Sequence, residues 1–118
     1  MNYMLLIIGH QDIQPLPEDG PSLMEQFMAY HRSVVESGTL VDSNVLDSFE
    51  TATSVQVTDG GERIVTDGPF AETREYLGGY YILDLPDLDA AIDWATRCPG
   101  SRGPGRVEIR PLQAIPGS

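Results

Sequence analysis

His31 and Asp67 are the two side chains of this sequence best suited to proton transfer, and Glu72 is the next carboxylate after Asp67. Histidine changes charge near neutral pH more readily than other side chains. Paired carboxylates do acid–base work or hold a hard cation. On a helical wheel His31 falls between Met24 and Phe27, inside an apolar stripe, which predicts an imidazole facing the sheet. Two readings follow. In one, His31 is a general acid/base at the floor of a cavity, with Asp67 as its catalytic partner. Phe27, Phe70, Glu72 and Tyr81 would then line the ligand site. In the other, His31 is a core histidine whose ring nitrogens bond a backbone carbonyl or a buried water.

The remaining candidates have structural explanations beside the chemical ones. Asp67-Gly68-Pro69-Phe70 reads as a turn: Asp accepts backbone N–H bonds, Gly tolerates positive φ, and Pro suits a first helical position. Phe70 would anchor that turn in the core. Glu72 and Glu75 are spaced to share a helical face, and a solvated face explains them equally. Tyr80 and Tyr81 alternate across a strand, so one faces the helices and the other the open side of the sheet. Either lines a cavity or simply packs. His10, Asp12 and His31 fit no ligand spacing, so no metal is expected. Gly100-Ser101-Arg102-Gly103-Pro104-Gly105 precedes a strand and lacks the helix N-terminus that would hold a phosphate. No cofactor is expected, and no Ser–His–Asp arrangement can be argued.

Composition narrows the partners. The 118 residues carry 7 basic and 18 acidic side chains, a formal charge of −11. Such a surface repels nucleic-acid phosphates and anionic membranes, so neither is expected as a partner. Cys98 is the single cysteine, which excludes an internal disulfide and fits a reducing cytoplasm. The apolar start, Tyr3 to Ile8, is too short to span a bilayer and reads as a buried strand.

The elements that must position these residues follow from periodicity and punctuation. Leu23 to Ser37 is the strongest helix, with Ser22 as N-cap, Glu25 as its capping-box partner and Gly38 as a left-handed C-cap. Its apolar face holds Leu23, Met24, Phe27, Met28, Tyr30, Val34 and Val35. Thr39 to Leu46 reads as a second strand. Asp59-Gly60-Gly61-Glu62 joins Ser54–Thr58 to Arg63–Thr66 as a hairpin. Gly78 to Leu85 is a central strand. Asp87 caps a helix over Leu88 to Cys98, striped by Leu88, Ala91, Ile92, Ala95 and Cys98. Cys98 on that stripe reads as an inert core thiol. Arg106 to Leu112 closes the domain as a strand with one exposed face. This order predicts one α+β domain over residues 1–118, ferredoxin-like, with an antiparallel sheet and two helices on one face. A domain this small, with one bare sheet face, points to a homodimer.

The run Asp67-Gly68-Pro69-Phe70, Ala71-Glu72-Thr73 and Leu77-Gly78-Gly79-Tyr80-Tyr81 resembles the DGPF-domain branch of the YCII-related proteins. Met1 to Ile7, Pro86 to Ala91 and Val107 to Pro111 support the resemblance, which covers nearly the whole chain. It implies a ferredoxin-like fold dimerising through its sheets as a dimeric α/β barrel, with a cavity between sheet and helices. It also implies a small organic ligand, aromatic for some members, and a link to extracytoplasmic-function sigma factors. A His–Asp pair has been proposed as that family's site. His31 lies on the expected helix, while Thr96-Arg97-Cys98-Pro99-Gly100 offers no aspartate at the end of the second helix. Enzyme and non-catalytic binding or regulatory module both remain open on these residues.

Overall fold

The computed structural model describes residues 1–11, 22–68 and 74–116. Its strands are β1 (Asn2–His10), β2 (Leu40–Val45), β3 (Thr53–Val57), β4 (Arg63–Asp67), β5 (Glu75–Asp84) and β6 (Arg106–Pro111). Its helices are α1 (Leu23–Ser37) and α2 (Leu88–Arg97), with short 3-10 turns at Phe49–Thr51 and Pro99–Ser101. Four strands form one sheet in the order β2-β5-β1-β6, every neighbouring pair antiparallel. Each helix therefore connects two strands that have a third between them, β5 for α1 and β1 for α2. This interleaved pair of split βαβ units is compatible with a ferredoxin-like fold. Strands β3 and β4 make a separate two-stranded ribbon.

Register shows which face is covered. Tyr3 opposes Leu83 and Leu5 opposes Tyr81 across β1–β5, while Leu5 opposes Ile109 and Ile7 opposes Val107 across β1–β6. Directly opposed residues share a face. Tyr3, Leu5, Tyr81 and Leu83 are buried with Tyr30 and Val34 of α1 and Ala91, Ala95 and Cys98 at α2, so both helices lie on that one face. The other face presents Met4, Leu6, Ile8, Tyr80 and Ile82, which are only half-buried.

Local chemistry sets the boundaries. Ser22 Oγ accepts from the Glu25 backbone N–H at 3.1 Å, and Gly38 ends α1 at φ 76, where a side chain would be strained. Asp87 Oδ1 accepts from the Ala90 N–H at 2.9 Å at the start of α2. A Cβ on Gly79 would stand 2.9 Å from the Asn44 carbonyl oxygen, so β2 approaches β5 only because that residue has no side chain.

Three expectations are corrected. Strand β5 begins at Glu75, earlier than Gly78, so Glu75 is a strand residue and not part of a helical face. The apolar face of α1 is wider than its buried face: Tyr30 and Val34 are buried, but Met24, Met28 and Val35 are exposed. The buried stripe of α2 is also rotated. Leu88 and Ile92 are exposed, while Ala91 and Ala95 are buried and Ala90 and Trp94 pack against the core. The turn at Phe49–Thr51 was not anticipated; Phe49 stacks on Tyr76 with ring centroids 4.8 Å apart.

Leu83 is 0% exposed at the centre of the covered face. Leu83→Ala is expected to destabilise the fold by about 2–5 kcal/mol through lost burial and a residual cavity. Urea unfolding monitored by Trp94 fluorescence measures this, and a loss under about 1 kcal/mol would contradict the packing described.

Candidate functional site

Helix α1 carries His31 on the flank of its buried face, beside β5. The imidazole is exposed, which goes against the reading of His31 as a histidine sealed in the core. Its Nδ1 lies 2.9 Å from the Tyr81 hydroxyl, with the rings 5.8 Å apart and tilted at 43°. Tyr81 itself is 7% exposed. An accessible imidazole is therefore held by a phenol rooted in the core.

The phenol is held in turn. Tyr30 meets Tyr81 edge-on at 5.5 Å and 86°, and meets Trp94 edge-on at 6.1 Å and 75°. Its hydroxyl donates to the Trp94 carbonyl at 2.8 Å, tying α1 to α2. Burial pushes the Tyr81 phenol above its ordinary range, and nearby Cys98 adds to this. Burial pushes Tyr30 up more strongly, with Cys98 and Tyr81 adding and Arg97 opposing. Cys98 is raised by burial against a backbone hydrogen bond at Gly100, which suits an inert thiol.

This arrangement has defined proton chemistry. Tyr81 keeps its proton, so in neutral His31 the hydroxyl can donate to Nδ1 and leave Nε2–H facing outward. When Nδ1 carries the proton the hydroxyl accepts instead, and Nε2 presents a lone pair. The phenol serves either tautomer, which lets the outer nitrogen give or take a proton.

The other expected site residues divide. Phe27 is half-buried against the core on the turn before His31. Tyr81 joins His31 directly, while Tyr80 points to the opposite face. There its hydroxyl donates to Asp42 Oδ2 at 3.1 Å and accepts from Asn44 Nδ2 at 2.8 Å. Asp67 ends β4 on the separate ribbon, exposed, and no hydrogen bond among the described residues joins it to His31. Phe70 and Glu72 lie outside the described residues, as does Asp12. Among the described residues no His, Cys, Asp and Glu side chains cluster as metal ligands. Sequence reasoning missed Tyr30, although its position one turn after Phe27 in the apolar stripe was a signal for it.

Around His31 the surface of α1 is apolar. Met24, Met28 and Val35 are 70%, 57% and 50% exposed, and with His31 they follow the three- and four-residue spacing of one helical face. No helix among the described residues is long and apolar enough to cross a membrane.

Comparison with known proteins gives the chain its relatives. The YCII-related domain model matches residues 1–115. An uncharacterized protein of Rhizobium meliloti (strain 1021) is 38% identical over 96 residues, spanning 80% of this chain and 77% of that protein.

Alkaline titration tests the phenols. Of five tyrosines, Tyr30 and Tyr81 should ionise above the usual value near 10, while unfolding returns them to it. Above about pH 10 the unfolded chain then binds fewer protons than the folded one, so stability falls as pH rises. The melting temperature should decline in that window, and tyrosinate absorbance should show a late fraction that Tyr30→Phe reduces. All tyrosines titrating together in the folded protein would contradict the burial.

Proposed function

This chain belongs to the YCII-related domain family, and on that premise we propose that it binds a small organic molecule, aromatic or otherwise apolar, beside α1, with His31 as the acid/base group. The observation that carries the reading is the 2.9 Å bond between His31 Nδ1 and the Tyr81 hydroxyl. It orients an exposed imidazole and leaves its outer nitrogen free to exchange a proton. Met24, Met28 and Val35 supply apolar surface beside it, and Phe27 supplies an aromatic edge. Tyr81 is in this reading a positioning residue, because it acts through His31.

A homodimer belongs to the same proposal. The open sheet face holds half-buried Met4, Leu6, Ile8, Tyr80 and Ile82, and the ribbon exposes Val55, Val57 and Val65. A two-stranded ribbon is marginal alone in water and gains from cover. Pairing through these surfaces in barrel fashion would remove both from solvent. In this assembled form Asp67 is the second proton-transfer group.

One observation favours a second reading. Among the described residues no hydrogen bond joins Asp67 or any other carboxylate to His31, and acid–base catalysis often uses such a partner. A non-catalytic ligand-binding or regulatory module needs no such partner. An extracytoplasmic-function sigma factor is the protein that such a module would serve.

A thermal-shift screen against small aromatic acids, phenols and amines separates the readings. Ligand at about 100 times its Kd stabilises the folded state by about 2.7 kcal/mol, enough to raise the melting temperature by several degrees. The expected result is a shift in the wild type that His31→Gln abolishes and Tyr81→Phe weakens, with both variants folded. A shift equal in wild type and His31→Gln would sink the role of His31 and favour the module. Light scattering checks the dimer, and a monomer at tens of micromolar would remove that part.

A further inference from the structure

The opposite flank of α1 holds a different chemistry. Where α1 passes the end of α2 and the Pro99–Ser101 turn, a shallow cleft of about 340 Å³ is lined by Gln26, Tyr30, Ser33, Arg97, Pro99 and Arg102, among others. His31 is not part of it. Small-molecule sites begin near this size.

Its charge is the unexpected property. The chain has 18 acidic against 7 basic residues, and every basic residue is arginine. Two of those seven sit in this one cleft, and no Asp or Glu lines it among the described residues. Arg106, by contrast, is paired with Glu75 at 2.8 Å and Glu108 at 3.1 Å. Neither Arg97 nor Arg102 has a carboxylate within ion-pair distance among the described residues. In an acidic chain, two guanidiniums left without carboxylates at one place leave their donors for something else.

The geometry prepares them. The Arg97 guanidinium lies 4.1 Å from the centroid of the Trp94 ring, a cation–π stack that limits its rotamers. Its Nη2 makes a long 3.4 Å bond to Ser33 Oγ, and among the described residues most of its five N–H donors have no other partner. Arg102 follows the 3-10 turn directly, its backbone N–H bonded to the Pro99 carbonyl at 3.3 Å. Its side chain is exposed, and no described residue bonds it. Arginine matches carboxylate and phosphate with two parallel N–H donors. The net charge of the whole chain repels anions at a distance, so any anion bound here must be held by these contacts at short range.

We propose that this cleft is an oxyanion site in which Arg97 and Arg102 clamp the carboxylate or phosphate of a small molecule. Tyr30 and Pro99 form its less polar floor. The site stands independently of the His31 reading, on the other side of the same helix.

The test is a titration followed by amide and arginine Nε–H NMR shifts, at ionic strength held constant with sodium chloride. The probes are sodium benzoate and inorganic phosphate. The expected result is saturable shifts at Arg97, Arg102 and Gly100 with a Kd in the roughly millimolar range for at least one probe. Response to benzoate alone assigns an organic acid, and response to phosphate assigns a phosphorylated ligand. Arg102→Gln, an exposed change that leaves the core untouched, should weaken binding at least about tenfold. Arg97→Lys keeps the charge but loses the fork and the stack, and should also weaken it. His31→Gln should bind as the wild type does. No saturable shift with either probe, binding that Arg102→Gln changes less than about twofold, or loss in His31→Gln would each overturn the proposal.

Discussion

The edge-on contact between Tyr30 and Tyr81 is the constraint on which the rest of the molecule depends. It fixes the rotation of α1 about its axis against the central strand. With Tyr30 directed at the core, the helical repeat sends His31 to one flank and Gln26 and Ser33 to the other. The Tyr30 hydroxyl then reaches the Trp94 carbonyl and sets α2 beside α1. An aromatic pair of this kind contributes about 0.5–1.5 kcal/mol beyond its buried area. Its greater effect is geometric: a rotated α1 would separate His31 from the phenol that orients it.

The sheet is equally asymmetric. Its covered face is closed by aliphatic packing around Leu5 and Leu83, and its open face is a patch of half-buried apolar residues edged by polar pairs. On the β2 side Tyr80 bonds Asp42 and Asn44, and on the β6 side Arg106 bridges Glu75 and Glu108. Exposed ion pairs such as those of Arg106 add little stability. Gly79 completes the logic on the β2 side, since its missing side chain lets the Asn44 carbonyl approach.

Much of this was legible in the sequence because it is local. The cap at Ser22, the stop at Gly38 and the Asp59–Glu62 turn act within a few residues, and α1 begins and ends where they place it. The alternation of Tyr80 and Tyr81 across β5 likewise follows from the strand repeat alone. Coverage was not legible. Periodicity shows which side of a helix is apolar, but not how much of that side a neighbour covers. Met24, Met28 and Val35 therefore read as core and stand exposed, taking His31 outward with them. The bond from His31 to Tyr81 joins residues 50 positions apart, and no spacing rule reaches that far. Glu75 failed for another reason: a charged, helix-tolerant residue was drawn into a strand by its pairing with His10.

The two flanks of α1 divide the polar chemistry that the fold supports. On one, a neutral phenol steadies an exposed imidazole in apolar surroundings. On the other, two arginines line one cleft in a chain that is otherwise dominated by acid. Each depends on a residue held by the core: Tyr81 beneath His31, and Trp94 beneath Arg97. Tyr30 touches both of those aromatic rings. A small domain has few fully packed positions on which to anchor a polar group, and here a single tyrosine supports the anchors on both sides. That economy explains why α1 carries so wide an apolar stripe. One part of the stripe builds the anchor, and the part left exposed forms the surface next to the groups it holds.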